Sequence, residues 1–301
     1  MTNNPNIISG ASGSAHLPAS IEVSPKQVLD GDGIGGLFPS ETRVYVTDIG
    51  NDTVDRIVDT ARRITDLGYI PVPHIPARRL VSEADLATRI RRFAEEAGAT
   101  EALLIAGSPP HQQGPYSSSM EILQSGLLER HGFKRIGVAG HPEGSPDISK
   151  DDIVAALQQK NAFARQSDMD FFIITQFGFD GKRMVDWAHG LSQVGNTLPV
   201  HIGLAGPAKI TTLLKYAAMC GVGASMSFLS KRASALATLA TSYKPDAVAD
   251  TLEAHAESGT AGPISQLHVY PFGGVRKSAA WLAERGTWSL DQGPTYRSLV
   301  L

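Results

Sequence analysis

Glu22 is the most unusual of several polar side chains that interrupt or end apolar runs in this sequence. It lies between Ile21 and Val23 in a short segment with the alternating pattern of a β-strand. A carboxyl group buried among apolar side chains loses hydration, which disfavours its charged form and suits a general acid near neutral pH. The same alternation also allows the opposite orientation, in which Glu22 points outward into a salt bridge with a flanking helix.

Gln176 is the second candidate for a role in chemistry. It follows a continuous apolar run, Phe171–Ile174, of the kind found in strands with both faces buried. Parallel strands that close into a barrel bring the side chains at their carboxyl ends to one face, where sites form. The other polar side chains expected at that face are Thr47, Asp48, His74, Ser108, His141, Glu143 and either His268 or Tyr270.

The remaining reactive side chains argue against several other chemistries. No histidines and carboxylates stand at metal-ligand spacing, so no metal site is predicted. The sequence has no Gly-x-Ser-x-Gly motif that would position a serine nucleophile. The single cysteine, Cys220, is expected to be a small core residue rather than a nucleophile.

Composition sets the broad class of protein. The 301 residues are 42% hydrophobic and 19% charged, enough to bury the core of one large domain. The net charge of −3 shows no excess of basic residues of the kind that binds nucleic acid. No apolar run approaches the roughly 20 residues of a membrane helix, and no signal-peptide pattern opens the chain. These features predict a cytoplasmic protein without nucleic-acid or membrane partners.

About eight strand patterns alternate with helical patterns along most of the chain, in the order and size typical of a (βα)8 TIM barrel. Residues 1–18 are rich in Asn, Ser, Gly and Pro and are predicted to be a flexible segment. The single catalytic barrel domain would then span 19–301, and a doubly wound sheet is the structural alternative. The predicted elements include a strand over 170–175, a helix from about Met120 and a helix near Leu229–Ala240.

Six short segments, in chain order, resemble motifs of the methylenetetrahydrofolate reductase family. Ser20–Pro25 is similar to the family's S-F-E-[FV]-x-P strand, and Ile174–Asp180 is similar to its I-T-Q-x-F-F-D segment. The other four segments are Val72–Ile75, Ala106–Pro110, Gly137–Pro146 and His201–Pro207. Six motifs in the right order are much more specific than any one of them.

The resemblance implies a (βα)8 oxidoreductase of one-carbon metabolism that interconverts 5,10-methylenetetrahydrofolate and 5-methyltetrahydrofolate. It implies FAD as the flavin cofactor, NADH or NADPH as the electron partner, tetrahydrofolate derivatives as ligands, and a homo-oligomer. By position, Glu22 matches the general acid that protonates N10, and Gln176 matches the contact to the pterin. Ser108, Arg276 and Ile210 match further substrate positions. The positions matched to the flavin site are Thr47, Asp48, His74, Ala106, Gly107, Ala139, His141, Ser145 and Lys160.

The sequence departs from the family pattern at polar positions around the flavin. Ser108 stands where the family has Asp, Ala106 where it has Arg, His141 where it has Tyr, and Ser145 where it has His. Loss of the Asp would remove negative charge beside the flavin and raise its potential, which favours the oxidative direction used in methyl catabolism. Two alternatives remain open: a flavin-free relative that uses NAD(P)H directly, or a relative that only binds tetrahydrofolate. A lyase would need a metal or a Schiff-base lysine at a strand end, and the sequence offers none there.

Overall fold

The chain folds around a closed barrel of eight parallel strands. The structure is a computed structural model that describes residues 16–107, 109, 111–146, 148–222, 227, 229, 242–258 and 262–289. In chain order the barrel strands are β1 (Ala19–Val23), β2 (Arg43–Val46), β3 (Ile70–Pro76), β4 (Glu101–Ile105), β5 (Arg135–Gly140), β6 (Asp170–Gly178), β7 (Val200–Ala205) and β10 (Ile264–Tyr270). A separate antiparallel pair consists of β8 (Ala208–Lys209) and β9 (Ser242–Tyr243).

Every barrel strand pairs in parallel with the strands before and after it, and β10 closes the ring by pairing with β1. The closing register aligns Ser20 with His268, and the next interface aligns Glu22 with Tyr45. The (βα)8 prediction is therefore confirmed, and the doubly wound alternative is wrong because the sheet has no open edges. Active sites of such barrels form at the carboxyl ends of the strands.

The helices alternate with the strands and surround the barrel. They are α1 (Pro25–Leu29), α2 (Val54–Asp66), α3 (Glu83–Ala97), α4 (Ser119–Gln124), α5 (Leu127–Arg130), α6 (Lys150–Ala164), α7 (Gly181–Gln193), α8 (Ile210–Met219), α9 (Asp246–Glu257) and α10 (Val275–Glu284). Side-chain oxygens of Thr53, Ser82, Ser149 and Asp180 accept backbone N–H groups at the starts of α2, α3, α6 and α7. Such caps satisfy donors that the first helical turn leaves unpaired.

The apolar side chains form three separate clusters. The largest fills the space between the outside of the barrel and the helices, as in other barrels of this class. A second cluster, Tyr45, Val72, Leu103, Phe172 and Ile174, packs inside the barrel. The third, called the mouth cluster below, lies at the carboxyl ends of β6, β7 and β10 and includes Phe177, Phe179, Ala205, Ile210, Leu213, Ala217 and Tyr243, with Tyr216, Tyr270 and Phe272 packed against it.

Helix α8 follows β7 and β8 and lies over the carboxyl-terminal face of the barrel rather than in the ring of helices around it. It packs against β8, and its apolar side chains belong to the mouth cluster. Helix α9, by contrast, contacts both α7 and β10 and so belongs to the ring of helices around the barrel. The described residues between β7 and α9 therefore supply apolar cover for the carboxyl-terminal face of the barrel.

The amino-terminal end of the barrel is closed by a polar network. The Nε atom of Arg43 donates to both carboxylate oxygens of Glu101, at 3.0 and 2.8 Å. The guanidinium of Arg135 lies 4.5 Å from the centre of the Phe172 ring, and that ring stacks on His201 with the centroids 4.4 Å apart. This end of such a barrel contributes to stability rather than chemistry.

Three predicted elements differ from the structure or lie beyond it. The strand predicted over 170–175 continues to Gly178, so Gln176 lies within β6 rather than after it. The helix predicted from Met120 is divided into α4 and α5 at Gly126, which adopts a left-handed conformation with φ of 66°. The helix predicted near Leu229–Ala240 lies almost entirely outside the described residues.

Candidate functional site

Glu22 points into the barrel, and the outward alternative is wrong. Its Oε2 atom lies 3.6 Å from Nε2 of His268 and 3.8 Å from Nε2 of His74. The neighbouring residues Ile21 and Val23 face the other way and pack under the surrounding helices. The Glu22 side chain is only 16% exposed. The alternation of β1 therefore directs a single carboxyl group to the barrel axis near the carboxyl ends of the strands.

Ser20 fixes the orientation of the His268 ring. The Ser20 hydroxyl lies 2.9 Å from Nδ1 of His268 and 3.4 Å from the carbonyl oxygen of Leu267. If the hydroxyl donates to that carbonyl, its oxygen accepts the Nδ1–H of His268, and Nε2 then carries a lone pair. This tautomer presents a hydrogen-bond acceptor to Glu22, so the arrangement suits a carboxyl group that delivers a proton.

His74 and Tyr45 complete the surroundings of the carboxyl group. Burial lowers the pKa of His74 below its usual value, although the charge of Glu22 acts in the opposite direction. The Tyr45 ring is fully buried and packs edge-on against His268, with the ring centroids 4.6 Å apart. Burial raises the pKa of Tyr45 well above its usual value, so its hydroxyl remains protonated near neutral pH.

Four buried polar atoms in this region have no hydrogen-bond partner among the described residues. They are the Tyr45 hydroxyl, Nε2 of His74, Nε2 of His268 and Oε1 of Gln176. An unpaired buried polar group costs about 1–3 kcal/mol, so native proteins rarely leave several together without a function. The two histidine nitrogens flank Glu22, the Tyr45 ring packs beside both histidines, and Gln176 lies at the carboxyl-terminal end of β6. This arrangement is expected of a site that receives a polar ligand.

An irregularity in the sheet places Gln176. The register between β6 and β7 shifts between Ile174 and Phe177. The Thr175 hydroxyl bridges the gap, because it donates to the Gln176 carbonyl at 2.8 Å and accepts from the Gly203 N–H at 2.8 Å. A Cβ atom at Gly203 would lie 2.5 Å from the Thr175 carbonyl oxygen, so only glycine fits this close approach. Bulges of this kind redirect a side chain beside a site.

Replacing Thr175 by Val is expected to destabilise the fold by about 1–3 kcal/mol, because the Gly203 N–H loses its acceptor in a buried position. We also expect weaker ligand binding at Gln176, since the hydroxyl that pins the bulge is gone. Urea denaturation monitored by circular dichroism measures the first effect. Thr251→Val is the matched control, because its hydroxyl bonds only within an exposed helix. Equal losses in the two variants would contradict this role for Thr175.

Aromatic side chains of the mouth cluster cover this end of the barrel. Tyr216 stacks on Phe272 with the ring centroids 4.2 Å apart, and Phe272 lies 4.7 Å from Phe177. The Tyr270 hydroxyl donates to the Thr175 carbonyl at 2.9 Å and so connects the cluster to the bulge. Cys220 is half-buried beside these rings, and its pKa is raised by burial and, to a lesser extent, by the charge of Glu22. The cluster provides an apolar cover that limits the access of water.

Several residues predicted for the site have other contacts. Asp48 accepts from Arg89 at 3.1 Å and from the Gly50 N–H at 3.1 Å, so its carboxylate is already paired. Arg276 is exposed, with a guanidinium nitrogen 3.6 Å from an Asp32 oxygen. Ile210 is buried in the mouth cluster. Ser108 lies outside the described residues.

Four other predicted cofactor positions occupy the loops after β2, β4 and β5. Thr47 is partly buried, and its N–H donates to the Val23 carbonyl at the end of β1. The Ala106 carbonyl accepts from a backbone N–H in the preceding loop. Gly107 turns tightly against Pro76, and Ser145 is partly exposed. None of these contacts identifies a cofactor.

The three remaining cofactor positions, Ala139, His141 and Lys160, line one small cavity. Its volume is about 90 Å³, and it lies between β5 and β6 on one side and α6 and α7 on the other. Lys160 is only 8% exposed and has no ion-pair partner in the described part of the chain. Burial lowers its pKa to about 8. Burial and the charge of Lys160 together lower the pKa of His141 to about 4.

Lys160→Met is expected to stabilise the fold at pH 7 by about 1–3 kcal/mol. The folded-state pKa of about 8 lies below the ordinary value of 10.5, so the unfolded chain binds the proton more tightly. The buried charge therefore opposes folding below pH 8, and this effect fades as the pH rises to 10.5. Methionine has a similar volume and no charge. Thermal denaturation of both proteins from pH 7 to 10.5 should show the difference in stability shrinking, and a constant difference would contradict the explanation.

Tyr45 is the site residue that sequence reasoning missed. It is aligned with Glu22 across the β1–β2 interface. It lies in a strand of mostly apolar residues, so nothing in the sequence marked it as functional. The register between the two strands identifies it, and that register follows only from closure of the barrel.

Metal-ligand clusters and membrane-spanning helices are both missing from the described residues. No group of three or more His, Cys, Asp or Glu side chains within those ranges could hold a metal ion. Among the helices that the structure describes, none combines the length and the apolar character needed to cross a membrane.

Comparisons with known proteins leave the family open. No protein-family model matches the chain. A variant of actinorhodin polyketide ketoreductase with NADPH aligns with 84% of this chain and 95% of its own, at 15% identity and a TM-score of 0.28. The GDP-mannoheptose C4 reductase from Campylobacter jejuni with NADP bound aligns with 82% of this chain and 98% of its own, at 8% identity and a TM-score of 0.20. At these values neither likeness carries an argument about fold or chemistry.

Proposed function

We propose that this chain is an NAD(P)H-linked oxidoreductase of the methylenetetrahydrofolate reductase type. It would interconvert 5,10-methylenetetrahydrofolate and 5-methyltetrahydrofolate. The observation that carries the proposal is the Glu22 carboxyl group, directed to the axis of a closed parallel barrel and flanked by two imidazole nitrogens. The ordered sequence motifs that resemble the family support the same assignment.

Glu22 acts on the folate nitrogen N10. Reduction begins when the five-membered ring opens, which requires a proton on N10 as its bond to the methylene carbon breaks. Glu22 donates that proton, and the ring opens to a cationic 5-iminium group. His268, held by Ser20, orients the carboxyl group. In the reverse direction the carboxylate takes the same proton back.

Gln176 and the mouth cluster bind and protect the ligand. The unpaired Oε1 of Gln176 accepts a hydrogen bond from the amino or amide N–H groups of a pterin. The iminium cation hydrolyses in water, so a reductase must exclude water from it. The aromatic side chains of the mouth cluster supply that exclusion, and their flat faces suit a planar bicyclic ring.

The described residues do not fit FAD as a set. Ala139, His141 and Lys160 line a cavity of about 90 Å³, well below the roughly 300–1,000 Å³ of ligand pockets. His74 faces Glu22, and Asp48 is paired with Arg89. FAD therefore stays a prediction of the resemblance. We propose instead that NADH or NADPH donates its hydride directly to the iminium carbon.

Turnover with labelled nicotinamide tests both parts of the proposal. The purified protein is incubated with 5,10-methylenetetrahydrofolate and NADH or NADPH that carries deuterium at the transferred position of C4. Mass spectrometry of the 5-methyltetrahydrofolate should find one deuterium per molecule in the methyl group. Loss of the label to solvent would indicate an exchangeable carrier such as a flavin, and flavin absorbance of the pure protein would show it independently. Folate binding without any product would overturn the redox assignment.

A further inference from the structure

The cavity beneath β5 and β6 is separate from the Glu22 site and has its own chemical character. Apolar side chains form most of its wall, including Ile153, Leu157, Trp187 and Leu191. Among the described residues, His141 and Lys160 are the titratable side chains that line it. An apolar cavity of about 150 Å³ holds the six carbon atoms of benzene, so 90 Å³ limits an occupant to roughly four heavy atoms.

Lys160 reaches this cavity from the apolar face of α6. It follows Ile153 and Leu157 at helical spacing, and both of these side chains line the cavity with it. The described part of the chain places no carboxylate within ion-pair distance of its amine. Its pKa of about 8 gives a much larger unprotonated fraction near neutral pH than an exposed lysine has. Desolvated lysines of this kind act as nucleophiles towards carbonyl compounds.

We propose that Lys160 is a nucleophilic amine that captures a small apolar aldehyde or ketone as a reversible Schiff base. The Nζ lone pair attacks the carbonyl carbon, and the carbonyl electrons move to the oxygen, which takes up a proton. The resulting carbinolamine loses water to leave a C=N bond, with no net change of oxidation state. The proton that the attacking nitrogen loses goes to the carbonyl oxygen. His141 lines the same cavity and is neutral near pH 7, so it adds no second positive charge beside the amine.

The sequence offers no Schiff-base lysine at a strand end. Under this proposal Lys160 provides one from helix α6 instead. The chemistry at Lys160 needs neither folate nor nicotinamide, and it can fail or succeed independently of the function proposed for Glu22. The apolar lining favours an aliphatic carbonyl compound over a keto acid, because the carboxylate of a keto acid would be desolvated there.

Reductive trapping tests the proposal on the whole protein. The protein is incubated with propanal and sodium cyanoborohydride at pH 7.5, and the modified lysines are located by peptide mass spectrometry. Lys160 should be alkylated at least ~10-fold faster than the exposed Lys134 and Lys277, because more of its amine is unprotonated. Lys160→Arg should remove the fast phase and leave the slow labelling of exposed lysines unchanged.

A bulky aldehyde provides a second test that needs no variant. 2-Naphthaldehyde exceeds the size of the cavity, so it should label Lys134 and Lys277 but not Lys160. Propanal labelling of Lys160 that is no faster than that of the exposed lysines would overturn the proposal. Equal labelling of Lys160 by both aldehydes would also overturn it, because the amine would then react through local opening of the fold rather than within the cavity.

Discussion

Replacing Glu22 by Gln is expected to lower the rate of 5-methyltetrahydrofolate formation by about 10²- to 10⁴-fold, the usual contribution of a positioned general acid. Glutamine keeps the shape of the side chain and its position between His74 and His268 but has no acidic proton to give to N10. Without that proton the five-membered ring opens slowly, and little iminium cation is available to the hydride donor. Steady-state kinetics with 5,10-methylenetetrahydrofolate and NAD(P)H measures the loss as a change in kcat.

The variant should still fold and bind folate, because the carboxyl group lies 3.6 Å and 3.8 Å from its two histidine neighbours, beyond hydrogen-bond distance, and so holds no element of the fold in place. Isothermal titration with tetrahydrofolate should give a Kd within a few fold of the parent value. Glu257→Gln is the matched control, since Glu257 is exposed at the end of α9. Full activity in Glu22→Gln would show that Glu22 is not the general acid.

Arg285→Met is expected to cause the largest loss of stability, about 3–5 kcal/mol, because it leaves a buried carboxylate without its main partner. The Arg285 side chain is 8% exposed and lies 2.5 Å from Glu253, which is itself buried. It also pairs with Asp250 at 3.2 Å. His16 is the other partner of Glu253, at 3.1 Å, so the same carboxylate connects the start of the described chain to α9 and α10.

Urea denaturation of Arg285→Met and Glu253→Gln compares the two sides of this pair. Glu253→Gln should cost clearly less, because Arg285 retains Asp246 and Asp250 as partners and glutamine remains a hydrogen-bond acceptor. Exposed ion pairs contribute little, so Lys244→Met, which removes an exposed pair with Glu284, is the control. A loss in Arg285→Met no greater than in Lys244→Met would contradict the account of this network.

The barrel was predictable from the sequence because its local patterns agree with its global form. For example, Ser82 is a typical helix-starting residue, and α3 begins directly after it, with its hydroxyl capping the first turn. The regular alternation of strands and helices then leaves few topologies for a chain of this size. The continuation of β6 through Gln176 was not predictable, because the bulge depends on Gly203 and Thr175, which are 28 residues apart.

The candidate site was only partly predictable for a similar reason. Alternation identifies the two faces of β1 but does not say which face is inward, and closure of the barrel decides that Glu22 faces His74 and His268. The role of Asp48 depends on Arg89, which is 41 residues away. The burial of Lys160 depends on how α6 packs against β5 and α7, and a lysine in a helical segment carries no sign of it.

A crystal structure of the protein with 5-methyltetrahydrofolate tests the central claim most directly. The proposed function predicts the pterin at the carboxyl-terminal end of the barrel, with its N–H groups donating to Gln176. It also predicts N10 within hydrogen-bond distance of the Glu22 carboxyl group, roughly 2.6–3.2 Å directly or through one water molecule. A ligand bound elsewhere, or an N10 atom that faces away from Glu22, would contradict it.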